Sequence, residues 1–267
     1  MIGFIHWLLL LGWGAQMGPL PYESKTIEYA VHAEQKLGAD IVRPTDKKIY
    51  PGVIVVHGGS WGGRSREDMT AISEFIASHG FVVMNLSYRF APQFLYPAQI
   101  EDLAAGIAWF KAHAAEYGMD ATKLGGWGYS AGAHLVTQWA FLESEKNQAP
   151  AMVAIVAGGA PFDLRWYPES PIITKLLDGF RDQRPKEYFV ASPVNHVGPW
   201  VPKMFMYHGK KDVLVEAVQS SHMQNLVRDQ GVEAQLHVVD FWGHIGTFLW
   251  SGESLQKGIL FLKEKLK

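Results

Sequence analysis

The chain has 267 residues and a formal net charge of −2, and is 48% hydrophobic and 19% charged. This composition excludes an intrinsically disordered chain, and the near-zero balance leaves no electrostatic footprint for nucleic acid. The absence of cysteine excludes a disulfide framework, a thiolate nucleophile and any Cys-ligated metal.

Residues 2–15 are almost wholly apolar, interrupted only by His6 and glycines. The run is too short to span a bilayer. Its length suits the core of an export signal, but no Lys or Arg precedes it and no A-x-A site follows. Residues 1–20 are therefore expected to be either a signal-like segment or an apolar arm packed on the domain. Secreted or periplasmic placement is the expectation, with a cytoplasmic one as the alternative. No Ser/Gly-rich linker or internal repeat divides the remainder, so residues 21–267 are expected to form one domain.

Strand-like and helix-like segments then alternate. Residues 26–32 and 36–42 read as a first pair of strands. Residues 52–56 (GVIVV) are an unbroken β-branched run, as expected of a strand buried on both faces. Ser65 and Asp68 have the spacing of a capping box, predicting a helix to about His79, stopped by Gly80. A strand is expected over 81–87, one long helix over 98–117, a strand over 123–128 and a helix from Ser130 to about Leu142. A further strand follows over 152–157. Residues 161–200 are irregular and rich in Pro and aromatics, with one helical piece near 173–180, and read as a cap-like insertion. Strands over 203–207 and 233–239 and helices over 215–230 and 252–266 complete the chain. Such alternation implies βαβ units and a mainly parallel sheet with helices on both faces. In that architecture chemistry collects at the carboxyl ends of the strands.

Gly128-Tyr129-Ser130-Ala131-Gly132 fits G-x-S-x-G between an expected strand and an expected helix. The small flanking residues allow a turn so tight that the central hydroxyl stands clear at the helix start. His57-Gly58-Gly59-Ser60-Trp61 follows the 52–56 strand. Acyl transfer develops negative charge on a carbonyl oxygen, which preorganised backbone N–H groups stabilise. Gly59, Ser60 and Ala131 are the candidate donors, and His57 is read as a structural residue bonding loop carbonyls. A serine needs a base, and the base needs an orienting carboxylate. His244, in the Gly-flanked segment 242–246 beyond a strand end, is the candidate base. His134 is assigned to packing within its helix. Asp212, after the 203–207 strand, is favoured as the acid over Asp240 and Glu216, because triad partners usually come from separate loops.

Several stretches together carry a resemblance: HGGSW (57–61), SYRFAPQFLYPAQIED (87–102), GWGYSAGAH (126–134), SPVNHV (192–197), HGKKD (208–212) and Gly243-His244. The chain resembles α/β-hydrolase serine esterases that pair an HGG-x-W loop with a GxSAG elbow. These include the hormone-sensitive-lipase-like carboxylesterases and the smaller bacterial esterases typified by rumen bifunctional feruloyl and acetyl-xylan esterases. The resemblance covers about residues 25–265. It implies an α/β-hydrolase fold, a triad of Ser130, Asp212 and His244, an oxyanion hole of Gly59, Ser60 and Ala131, and no metal or organic cofactor. The implied substrates are short-chain or carbohydrate-linked acetyl or feruloyl esters. The chain departs from the pattern at Ser60, where a third glycine is usual, at Ala133, and at Tyr129, where an acidic residue or Gly is usual. Fewer than about 40 residues precede the expected sheet, so the helical N-terminal cap of the larger group is not expected here, which favours the smaller group and a more open pocket.

Trp61 and Tyr129 are the candidate substrate-binding residues. Of the aromatics Phe162, Trp166, Tyr167 and Phe180 in the insertion, most are expected to be core. Two other readings compete. An arylformamidase-type amidase uses the same loop and elbow, and a non-catalytic relative would keep only the fold. Residues 126–131 also fit a dinucleotide fingerprint, but no acidic residue ends the next strand. No H-E-x-x-H set suggests zinc.

Overall fold

The computed structural model describes residues 19–32, 34–250 and 252–266, so the expectations for most of the apolar arm lie outside the described residues. β1 (Tyr22–His32) and β2 (Gln35–Pro44) form an antiparallel hairpin, and β2 pairs antiparallel with β4 (Val82–Leu86). β3 (Tyr50–Val56), β5 (Met119–Tyr129), β6 (Ala154–Gly158), β7 (Lys203–Gly209) and β8 (Ala234–Val239) run parallel to β4. The eight strands make one sheet in the order β1-β2-β4-β3-β5-β6-β7-β8. The carboxyl ends of the parallel strands therefore share one edge.

The period of two along each strand divides the core. Ile54 and Val56 of β3, with Met84, Ile155 and Met206, pack on one face against α2 (Ala98–Ala112), α4 (Ala131–Asn147) and α7 (Val218–Asp229). Val53 and Val55, with Val83, Val156 and Phe205, pack on the other face against α1 (Thr70–Ser78) and α9 (Gly252–Lys265). Burial on both faces is why these strands read as continuous apolar runs.

The structure departs from the sequence expectations at four places. Ser65 makes no side-chain cap bond to the helix, its hydroxyl instead meeting the Glu67 carboxylate, and a 3-10 turn precedes α1. The long helix over 98–117 breaks at His113, whose Nδ1 lies 2.8 Å from the Trp109 carbonyl. α3 (Ala114–Tyr117) is a separate turn. The insertion holds α5 (Pro171–Leu177) and a second helix, α6 (Pro185–Val190), each begun by a proline in its first turn. His244 does not sit in a loop but opens α8 (His244–Trp250).

One polar anchor steadies the segment between β4 and α2. Arg89, nearly buried, meets the fully buried Asp102 at 2.8 Å through Nε, and its backbone N–H donates to the same carboxylate at 2.8 Å. The segment reaches the loop after β3, where Ala91 N–H donates to Trp61 O at 2.9 Å and Tyr88 Oη to His57 O at 3.2 Å. Stranding a buried charge outright costs about 3–5 kcal/mol, but Arg89 also meets Glu101 at 3.1 Å and the Ala98 carbonyl at 3.1 Å. Asp102→Ala is therefore expected to lower unfolding stability by less, about 2–3 kcal/mol. Urea denaturation measures it, and a loss under about 1 kcal/mol would show the anchor to be dispensable.

Candidate active site

Ser130 links β5 to α4 at φ 53°, ψ −125°, a backbone conformation that L residues avoid and that costs on the order of 1–3 kcal/mol. The neighbours enforce it. A Cβ on Gly132 would stand 2.2 Å from the Val56 carbonyl oxygen, and one on Gly128 would stand 2.5 Å from the Ala133 nitrogen. Only glycine lets the start of α4 press against the ends of β3 and β5. The elbow is closed by Ser130 N–H donating to Gly158 O at 2.7 Å.

The side chains of Ser130, His244 and Asp212 meet. Ser130 Oγ lies 2.8 Å from His244 Nε2, and His244 Nδ1 lies 2.6 Å from Asp212 Oδ2. A carboxylate only accepts, so Nδ1 carries the proton, and Nε2 is left to accept from the serine hydroxyl. Asp212 Oδ1 accepts the backbone N–H groups of Leu214 at 3.0 Å and Val215 at 2.9 Å. His208 Nε2 stands 3.3 Å from Oδ2. Burial alone would push this carboxyl up, but the hydrogen bonds from His208, His244 and Val215 outweigh it and hold the group well below the usual carboxylate range. The runners-up lie elsewhere. Asp240 is exposed and paired with Lys210, and Glu216 offers its backbone N–H to Tyr167 Oη.

The loop after β3 carries three successive positive φ values: Gly59 113°, Ser60 55° and Trp61 58°. Ser60, Trp61 and Ala131 line one cleft with Ser130, walled further by Tyr167 and Ile173 of the insertion. His57 does not face the cleft chemistry. Its ring is buried, stacks on Tyr88 at 4.4 Å and bonds Gly58 O through Nδ1 at 2.7 Å, a scaffold beneath the glycines.

Tyr129 corrects the sequence reading. It is 4% exposed and, instead of facing substrate, turns beneath the site, where its hydroxyl donates to the His244 carbonyl oxygen at 2.5 Å. Its ring lies against the His244 imidazole at 5.2 Å. The insertion aromatics also divide otherwise than expected. Phe162 is core and Tyr167 lines the cleft, whereas Trp166 and Phe180 are 41% and 40% exposed.

His134 does more than the packing expected of it, since both its ring nitrogens have polar partners. Trp61 Nε1–H donates to Nδ1 at 3.1 Å, and Nε2 meets Ala191 O at 2.8 Å. Burial, partly offset by the Ala191 carbonyl, pushes this imidazole down to about 4. Burial also lowers His57. Unfolded imidazoles titrate near about 6.5, so between there and pH ~4 the unfolded chain takes up protons that the native one refuses. Stability is therefore expected to fall as the pH drops through this window, by about 3 kcal/mol from His134 alone. Urea midpoints measured from pH 7 to 4.5 check this. A flat profile would refute it, and a His134→Asn variant should flatten it in part.

A profile of the family described as BD-FAE matches residues 39–227, more than half of the chain. Among curated proteins, the chain is 29% identical over 185 residues to LipM, a probable carboxylic ester hydrolase of Mycobacterium tuberculosis. That match covers 64% of this chain and 43% of LipM. It is 33% identical over 129 residues to the carboxylesterase NlhH of the same species, covering 47% of this chain and 37% of that one. The chain thus spans under half the length of these relatives. Among solved structures, a truncated carbohydrate esterase from gut microbiota superposes with a TM-score of 0.79 at 23% identity, covering 93% of this chain and 99% of that one. The Thermogutta terrifontis esterase Est2, in a propionate-bound structure, superposes at 0.76 with 20% identity, covering 90% and 94%. The fold is that of the α/β-hydrolases, and by the span of its match the chain belongs to the BD-FAE family.

Proposed function

We propose that the chain is a serine carboxylesterase working through an acyl-enzyme. The observation that carries this reading is the unbroken relay from Asp212 through His244 to Ser130, opening on a cleft that Ser60 and Trp61 also line. Ser130 Oγ attacks the ester carbonyl carbon while its proton passes to His244 Nε2. Asp212 stabilises the imidazolium through Nδ1–H. The N–H groups of Gly59, Ser60 and Ala131 receive the oxyanion. The tetrahedral species collapses, the C–O bond to the alcohol breaks, and His244 returns the proton to the departing oxygen. Water, deprotonated by the same nitrogen, then attacks the acyl-serine. The carboxylic acid leaves, and Ser130 recovers its proton.

The substrate reading is a short-chain or carbohydrate-linked acetyl or feruloyl ester. Two observations support it: the modest cleft walled by Trp61, Tyr167 and Ile173, and the likeness in fold to a carbohydrate esterase from gut microbiota. Rates on aryl acetate, butyrate and octanoate, acetylated xylan, a feruloyl ester and N-formylkynurenine test it. The acetyl or feruloyl esters should lead, and a preference for the formamide would replace the ester reading with an amidase one.

Ser130→Ala is expected to lower kcat on an aryl acetate by about 10⁴-fold or more with an unchanged circular dichroism spectrum. Because the relay acts as a unit, the Ser130→Ala/His244→Ala double variant should be no slower than either single one. Turnover surviving in Ser130→Ala would refute the assignment.

A further inference from the structure

We propose that His134 is a positioning residue that holds the 59–61 loop in its reactive shape through the indole N–H of Trp61. The inference rests on the reading that the loop's N–H groups receive the oxyanion.

The loop is the most contorted stretch beside the cleft. Its three successive positive φ values include two at residues with side chains, and each of these costs on the order of 1 kcal/mol or more. Left alone, such a loop relaxes, and its N–H groups swing away from a common point. Backbone bonds resist this at two places, Gly62 N–H on Gly59 O at 3.1 Å and Ala91 N–H on Trp61 O at 2.9 Å. Both tie the loop to itself or to the 87–97 segment. The Trp61–His134 bond ties it to the helix that carries the nucleophile.

His134 stands one helical turn beyond Ser130, and its own N–H donates to Ser130 O at 3.0 Å. Its side chain is fully buried. The indole can only donate and the Ala191 carbonyl can only accept, so the ring is held as the neutral Nε2–H tautomer. One imidazole thus joins three separate pieces of chain: the loop after β3, the start of α4 and the end of the insertion helix α6. The Trp61 ring meets it edge-on at 5.2 Å, so the contact is packed as well as bonded. An apolar residue would fill the same space, but it would leave the indole N–H without an acceptor at the back of the loop.

The test separates the bond from the packing. In His134→Asn the amide oxygen overlays Nδ1 and still accepts from Trp61. His134→Leu has the same shape and no acceptor. Both lose the Ala191 contact, so their difference reads the indole bond alone. With an aryl acetate, His134→Leu is expected to lower kcat by about 10- to 100-fold with KM within about twofold. The Ki of a trifluoromethyl ketone, whose serine adduct places an oxyanion in the same spot, should rise in proportion. His134→Asn should recover to within about threefold of wild type, all rates being taken per titrated active site. Trp61→Phe, which keeps a ring and removes the donor, should match His134→Leu and carries the test if the latter does not fold. Equal losses in Asn and Leu, or an unimpaired Leu variant, would overturn the inference alone. A wild-type protein that neither cleaves the ester nor binds the ketone would overturn the esterase reading and this inference with it.

Discussion

The close contact between the start of α4 and the ends of β3 and β5 governs the rest of the site. Gly132 lies so near the Val56 and His57 carbonyls that a Cβ would overlap them, and Gly128 lies equally near the backbone of α4. This compression forces the strained geometry at Ser130 and brings the loop after β3 within reach of the same cleft. Two segments far apart in the chain thus share one small volume because neither has a side chain where they touch. The strain is affordable because packing on both faces of the sheet secures the flanking strands.

The acid side of the site follows a different logic. A carboxylate at Asp212 is costly to bury, yet it accepts two backbone N–H groups and faces two imidazoles. These donors outweigh desolvation, so the charge that orients His244 stays in place. Gly209 makes the arrangement possible, since a Cβ there would stand 2.4 Å from the Trp242 carbonyl oxygen. The turn before the acid and the turn before the base are packed backbone to backbone.

Much of this was legible in the sequence, for physical reasons. Buried parallel strands such as 53–56 read as β-branched runs because both faces are apolar. The elbow shows itself because its turn tolerates only small neighbours. What escaped was decided by partners distant in sequence. The orientation of the Tyr129 hydroxyl depends on a carbonyl 115 residues away, and the second polar partner of His134 lies 57 residues off. Nothing local marks either residue as other than an aromatic near a nucleophile or a histidine in a helix. Local side-chain contacts accompany other misses. The Ser65 hydroxyl meets Glu67 instead of the helix end, and the His113 ring turns back onto the Trp109 carbonyl that its own N–H also bonds. The glycines around His244 suggested a loop, but they serve close approach, leaving the imidazole at the head of a short helix.

The hydroxyl of Tyr129 has a mechanical meaning. It belongs to the residue joined by a peptide bond to the nucleophile, and it grips the main chain of the base. One side chain thus couples the end of β5, which carries the nucleophile, to the first residue of α8, which carries the base, so the two reacting groups share a direct bond between their supports as well as the one between their side chains.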